Sequence, residues 1–372
     1  MPIDRRTFMA TTSLALSGAA LEVAAAESTR KKSAPPRRIA TEEAFSIPEV
    51  AEALRAVSRA PGNSLDLYLL RSIYDSAADT SGGKLRTALL DLEGVRMQEM
   101  DANDVAVHLL SLTAPGVQMF DADDAVELAT LANDRLAEVI RRHPARFAGL
   151  ASFAPQAPKR AAQEMERAID RLKLNGFIVN SHTNSEYLDD PKFWPILEAA
   201  EALDSCIYIH PRAPSEGMDV PFRHYGMDGA LWGYGMETGT HAVRLILGGV
   251  FDRFPKLKIC LGHMGEAVHF WLWRLDFMAE RMQAGGRMAK LQLKPSEYFK
   301  RNFVITTSGQ ESHAALEYSL KVLGPDNVLW AIDYPYQPTS PAVAFMDSAP
   351  VSEELRAQLY HGNAERIFRI RA

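Results

Sequence analysis

Several things are scarce in this chain, and each scarcity excludes a class of protein. Cysteine occurs only twice in 372 residues, at Cys206 and Cys260, too few for a disulfide framework. The mildly apolar stretch Ala10–Leu21 is well short of the roughly 20 residues of a membrane span. Positive charge is not in excess: the net charge of −6 gives no electrostatic case for nucleic acid. Internal repeats, coiled-coil heptads and low-complexity tracts are also missing. With 47% hydrophobic and 24% charged residues, the chain has the composition of an ordinary soluble globular protein.

Charge is unevenly placed. Residues 1–38 carry seven Lys/Arg against three Asp/Glu, so the rest stands at 34 against 44, a poor polyanion binder. Asp4-Arg5-Arg6-Thr7-Phe8-Met9, the apolar stretch behind it and Val23-Ala24-Ala25-Ala26 read as a twin-arginine export signal over residues 1–26, cleaved near Ala26. Residues 27–37 read as a flexible leader and 38–372 as a single domain. The expected partner of the N-terminus is therefore the twin-arginine export machinery, and the expected location is periplasmic or secreted.

What is present is an eightfold alternation. Apolar runs rich in Val, Ile, Leu and Phe fall near 38–45, 105–113, 147–155, 177–184, 206–213, 258–265, 302–309 and 328–336. Such runs are typical of parallel strands covered on both faces. Helical patterns lie between them, over Leu85–Met100, Asp124–Arg142, Ala157–Leu174, Phe193–Ala202, Glu237–Phe251, Glu266–Met282, Glu311–Leu323 and Ser352–Leu359. Asp190-Pro191 and Ser352-Glu353-Glu354 are helix-start signals. Eight strand–helix units predict a closed (β/α)8 TIM barrel. Long segments after strand one, 46–83, and after strand five, 214–234, are candidate lids or substrate walls.

Four strand endings carry groups suited to a metal: Glu42-Glu43 on the first, His210 on the fifth, His263 on the sixth and Asp333 on the eighth. The two glutamates alternate faces, so only one should point inward, the other serving as a supporting or rim residue. An isolated histidine like His210 is more often a satisfied core residue, and Asp333 among apolar neighbours would be costly to bury unpaired. A single divalent cation removes that cost and explains all four together. If both histidines face the lumen, alternation sends Cys206 inward and Cys260 outward, so they should stay buried free thiols.

The motifs extend further: Thr41-Glu42-Glu43-Ala44-Phe45, Asn180-Ser181-His182-Thr183, Tyr208-Ile209-His210-Pro211, Gly262-His263-Met264-Gly265-Glu266, Trp271-Leu272-Trp273-Arg274 and Asp333-Tyr334-Pro335-Tyr336-Gln337. On these residues the chain resembles the amidohydrolase superfamily, and within it the metal-dependent nonoxidative aromatic acid decarboxylases of carboxyvanillate type. The resemblance covers nearly everything from 38 to 369 and implies the amidohydrolase form of the barrel. It implies metal ligands at Glu42, His210 and Asp333, with His263 beside the metal. It implies Asp333 as proton donor, His263 and Glu266 as the pair that tunes it, and Arg274, Tyr336 and His182 on the substrate side. Ala44 stands where many members carry a second histidine, and strand four offers no lysine. Both absences suit one metal, Mn2+ or Zn2+, with open positions that a 2-hydroxybenzoate could fill. The subset also uses a basic residue from the region before its first long helix, for which Lys84, Arg86 and Arg71 are the candidates.

The chemistry so implied has a physical logic. Direct loss of CO2 would leave an aryl anion that the ring cannot delocalise. Protonating the carboxylate-bearing carbon first avoids it, and loss of CO2 then restores aromaticity. The rival reading is a hydrolase that turns a metal-bound water on a lactone, amide or ester, with Asp333 as general base; a catalytically dead binding protein is the remaining alternative. The expected partners are a small aromatic acid and further copies of the chain, as homodimer or homotetramer, with no nucleic acid and no membrane span.

Overall fold

The computed structural model describes residues 36–371. The signal over 1–26 and nearly all of the leader 27–37 lie outside the described residues. Arg37 to the C-terminus forms one unit, and Arg37 is already tied into it, pairing with Glu365 and donating to the Arg371 carbonyl at 3.0 Å.

The eight strands fall where expected, and all but the first stop short of the expected C-terminal end. They are β1 (Ile39–Phe45), β2 (Val107–Leu112), β3 (Phe147–Ser152), β4 (Gly176–Asn180), β5 (Ile207–His210), β6 (Ile259–Leu261), β7 (Phe303–Thr306) and β8 (Val328–Leu329). Each pairs in parallel with the next, giving the order β1 to β8 of a (β/α)8 barrel. The seam between β8 and β1 is bridged by Thr41 Oγ1 donating to the Trp330 carbonyl at 2.8 Å and by Ala44 N–H donating to the Tyr334 carbonyl at 2.7 Å.

The barrel has two apolar layers. Ile39, Leu109, Leu150, Ile178, Tyr208, Val304 and Leu329 fill the lumen, one or more from nearly every strand. A larger layer, with Leu110, Phe177, Ile207, Ile259 and Phe303, packs the sheet against the helices. Cys206 and Cys260 are both buried and unbridged. Cys260, however, belongs to the lumen layer, in register with Tyr208, and does not point outward as expected. Alternation turns Cys260 outward only where His263 continues the strand. The strand instead ends at Leu261, and His263 has φ 48°, so a left-handed backbone turns its side chain back inward.

The helices depart from expectation where capping groups or backbone reversals intervene. Leu85–Met100 is two helices, Ser81–Leu90 and Val95–Ala102, because Asp91 accepts the N–H groups of Gly94 (2.7 Å) and Val95 (2.6 Å) and starts the second. The expected helix Glu266–Met282 begins only at Leu272. The segment 46–83 is no loop: it holds the helices Pro48–Ser58 and Leu65–Tyr74 and the start of a third. Arg71 and Arg86 are spent on it, donating to the carbonyls of Ser58, Ala60 and Gly62 and of Ile73, Tyr74 and Ser76. A buried ion pair, Asp66 with Arg212 at 2.9 Å, fastens this helical insert to the end of β5. Of 214–234, residues 214–232 do form an irregular segment, broken by one short 3-10 turn at Val220–Phe222, and a helix begins at Gly233. Asp190 and Ser352 cap their helices through the Lys192 and Leu355 amides, as expected. No helix of the described residues is long and apolar enough to cross a membrane.

Candidate active site

The site forms where β1, β5, β6 and β8 end, at the C-terminal mouth of the barrel. Its centre is the Glu42 carboxylate, 3% exposed. One oxygen, Oε2, accepts hydroxyls from Tyr208, Thr306 and Ser308. The other, Oε1, is buried with no hydrogen-bond partner. It faces His210 Nε2 at 3.7 Å and His263 Nε2 at 3.8 Å. Asp333 Oδ2 lies 3.8 Å from that same His263 nitrogen.

The imidazole tautomers follow from the opposite edges of the rings. His210 Nδ1 meets the Pro211 carbonyl at 2.8 Å, and His263 Nδ1 meets Glu266 Oε1 at 2.8 Å. Carbonyl and carboxylate only accept, so each Nδ1 carries the proton and each Nε2 turns a lone pair inward. Carboxylate oxygens and imidazole lone pairs then converge at distances too long for hydrogen bonds. Such an arrangement repels itself unless a cation sits among the donors. Donors bound to one ion at about 2.1 Å lie roughly 3–4 Å apart, which these do. Glu42, His263 and Asp333 each offer an atom within 4.8 Å of the others, and His210 joins through Glu42. Imidazoles that hand their second N–H to a carbonyl or carboxylate are the usual form of metal-binding histidine.

Electrostatics agree. Burial would raise the Glu42 carboxyl, but His263, His210 and the hydroxyls of Ser308 and Tyr208 outweigh it and keep the group below its ordinary range. Asp333 is raised, by burial first and then by the Glu42 charge, against the pull of His263. His263 is raised despite burial, because Glu42 and Glu266 flank it: with no cation among the donors, these carboxylates draw a second proton onto the ring.

Local backbone delivers these groups. Across β1 and β2, Ala40 pairs with His108 but Glu43 with Leu110, so β1 holds one extra residue. This bulge explains how two consecutive glutamates are both interior. Glu43 is not a rim residue: it is fully buried, and burial pushes its carboxyl up to about 8. After β6, His263 to Ala267 all have φ between 48° and 64°. A left-handed turn of this length is costly, about 1–2 kcal/mol per non-glycine residue. It curls Glu266 back onto His263, so Glu266 belongs to this turn and not to a helix start.

Beside Glu266, His263 and Asp333 opens a cavity of about 460 Å3, walled by Leu231, Trp232, Tyr234, Met236, Phe270 and Tyr318, with Gln310 and Gln337 as polar groups. The remaining expected residues are placed as follows. Tyr336 is half-buried and its hydroxyl meets Thr113 Oγ1 at 2.5 Å. His182 has both ring nitrogens engaged, with the Ala213 carbonyl and the Ser185 amide, and burial lowers it to about 4; it offers neither nitrogen to a ligand. Arg274 is exposed in a neighbouring groove with Gly235, Met236 and Trp271, outside the cavity wall. Among the described residues no Lys or Arg lines the cavity. Tyr208, Thr306 and Ser308, which orient Glu42, escaped sequence reasoning. Tyr208 shares His210's parity on β5, which was the available signal.

A closed barrel with this donor set at its mouth defines a metal-dependent enzyme of the amidohydrolase type. The chain belongs to the amidohydrolase family, whose model matches residues 83–370. It is 34% identical over 310 residues to the γ-resorcylate decarboxylase of Polaromonas sp., spanning 80% of this chain and 95% of the relative. Among solved structures it is similar to 5-carboxyvanillate decarboxylase from Sphingomonas paucimobilis, with 58% identity and TM-score 0.88 over 90% of this chain and 99% of that one. The enzyme of the same name from Novosphingobium aromaticivorans, solved with manganese and 4-hydroxy-3-methoxy-5-nitrobenzoic acid, gives 37% identity and TM-score 0.84 over 90% and 96%.

Gly262 tests the geometry. A Cβ there would lie 2.7 Å from Glu42 Oε1, while its φ of −70° suits alanine. Gly262→Ala is therefore expected to keep its fold by circular dichroism and to lose most of its bound metal by elemental analysis. Full metal content in that variant would contradict the assignment of Oε1.

Proposed function

We propose that this chain is a metal-dependent, nonoxidative decarboxylase of aromatic acids bearing a hydroxyl ortho to the departing carboxylate, with 5-carboxyvanillate-like acids as substrates. The carrying observation is the unpartnered Glu42 Oε1 facing two imidazole lone pairs beside Asp333, in a chain whose relatives are decarboxylases. Glu42, His210 and Asp333 would hold one divalent ion, with His263 beside it. When bound, that ion supplies Lewis acidity and a counter-charge for the substrate's carboxylate and phenolic oxygens. The mixed oxygen and nitrogen donors suit Mn2+ or Zn2+; manganese is the first choice, given the manganese in the Novosphingobium enzyme.

The chain's own residues account for the proton. Asp333 faces the cavity from a buried position where its carboxyl retains a proton more readily than in water. It delivers that proton to the ring carbon bearing the carboxylate, making it tetrahedral. The C–C bond then breaks, its electron pair restores the aromatic ring, and CO2 leaves. Asp333 regains its proton from water entering the cavity after product leaves, while His263, fixed by Glu266, stands 3.8 Å from Asp333 Oδ2. Trp232, Met236 and Phe270 give the ring an apolar wall to pack against.

We further read the chain as a homo-oligomer. Phe270, Trp271 and Trp273 are 66%, 57% and 73% exposed beside Arg274 and the cavity. Apolar surface of this kind is usually covered, and a second copy could bring an arginine toward a cavity that lacks one. Light scattering should give the mass of a dimer or tetramer; a single-chain mass would remove Arg274 from substrate binding.

The activity test is direct. The metal-loaded protein should release CO2 from 5-carboxyvanillate, leaving vanillate, without consuming water. Asp333→Asn should lower kcat by at least about 1,000-fold, the scale of losing the proton donor, while substrate still binds by calorimetry. Turnover of lactones or amides in place of the acid would favour the hydrolase.

A further inference from the structure

Glu43 has a contact pattern that neither the metal site nor the fold alone requires. Its Oε1 accepts the amide of Ile332 at 3.1 Å and its Oε2 accepts the amide of Tyr334 at 3.0 Å. The two amides flank Asp333, so one carboxylate grips the chain on both sides of the proton donor. Asp333 itself has φ 75°, a left-handed conformation that costs an L-residue about 1–2 kcal/mol. Such a conformation persists only where its surroundings over-determine it.

The surroundings here are specific. The ladder of β8 ends at Leu329, so Ile332 and Tyr334 have left the sheet while remaining buried. Without Glu43 their amides would be unpaired inside the protein, at roughly 1–3 kcal/mol each. Behind Glu43 stands Arg96, fully buried, its guanidinium 4.7 Å from the Tyr334 ring centroid and donating to the Ala44 carbonyl at 2.6 Å. The bulge that places Glu42 at the centre of the site is what swings Glu43 to this position.

We propose that Glu43 is a positioning residue for Asp333: its clamp on the Ile332 and Tyr334 amides holds the left-handed turn that aims the Asp333 carboxylate at Glu42 and His263. The proposal rests on the reading of Asp333 as a metal-binding carboxylate. The plain alternative is a staple of the barrel seam with no bearing on Asp333. In that case removing it would lower stability and act the same with or without the Asp333 carboxylate.

A double-mutant cycle on the full chain separates these, using Mn2+ affinity from chelator competition as a readout independent of turnover. The variants are E43Q, D333N and E43Q/D333N. Glutamine has one acceptor oxygen and would set its own NH2 against one of the two amides. D333N should weaken Mn2+ binding at least about tenfold, and E43Q about tenfold when Asp333 is present, the scale of a group that orients a ligand. In the D333N background E43Q should change affinity less than twofold. An equal loss in both backgrounds, or a drop only in the Tm of the metal-free protein, would overturn the proposal in favour of the seam staple. Unchanged affinity in D333N would instead overturn the reading of Asp333 as a ligand. Should E43Q not fold, E43D, which keeps both carboxyl oxygens and can hold one amide, takes its place in the cycle with the same outcomes.

Discussion

One buried carboxylate oxygen governs this molecule. Glu42 Oε2 is saturated by three hydroxyls, yet Oε1 is left bare between two imidazole nitrogens whose protons are committed elsewhere. An uncompensated ion in such a place costs several kcal/mol, and a cation among the donors recovers it. Four chain segments more than 30 residues apart in sequence have been folded around that one demand.

Meeting it took three breaks in regular structure. A bulge in β1 lets consecutive glutamates both face inward, a left-handed turn brings His263 and Glu266 together, and a left-handed Asp333 closes the set. Each costs stability that a regular barrel would keep. Their clustering at the mouth, and the regularity of the lumen below, divide the barrel into a stable base and a strained rim. The rim also explains how one carboxylate can stay ionised while its neighbour retains a proton. Glu42 is held by the hydroxyls of Ser308 and Tyr208 and by the two histidines beside it, whereas Asp333 is dominated by burial and by Glu42's charge.

Much of this was legible in the residues. Apolar runs located all eight strands, and polar groups at strand ends located Glu42, His210, His263 and Asp333, because period-two alternation and strand length are local properties. What failed was whatever depended on departures from period two. Cys260 was placed outward because His263 was assumed to continue β6. Strict alternation turns Glu43 away from the interior, as a supporting or rim residue; it does support the site, but from inside, because a bulge leaves no mark in composition. The helices at 48–58 and 65–74 are not legible in the long segment after β1, because Gly, Pro and aromatic residues there mask the helical period. His182 and Arg274 do not line the cavity within one chain: the ring nitrogens of the first are taken by backbone groups, and the second is exposed in the neighbouring groove.

The central claim is that a single divalent ion occupies the space between Glu42, His210 and Asp333. Crystallography of the manganese-loaded protein at the metal's absorption edge addresses it most directly. One anomalous peak about 2.1 Å from Glu42 Oε1 and His210 Nε2, and within coordination distance of Asp333, is the expected result. A peak elsewhere, two peaks in the barrel, or none at full metal loading would contradict the account.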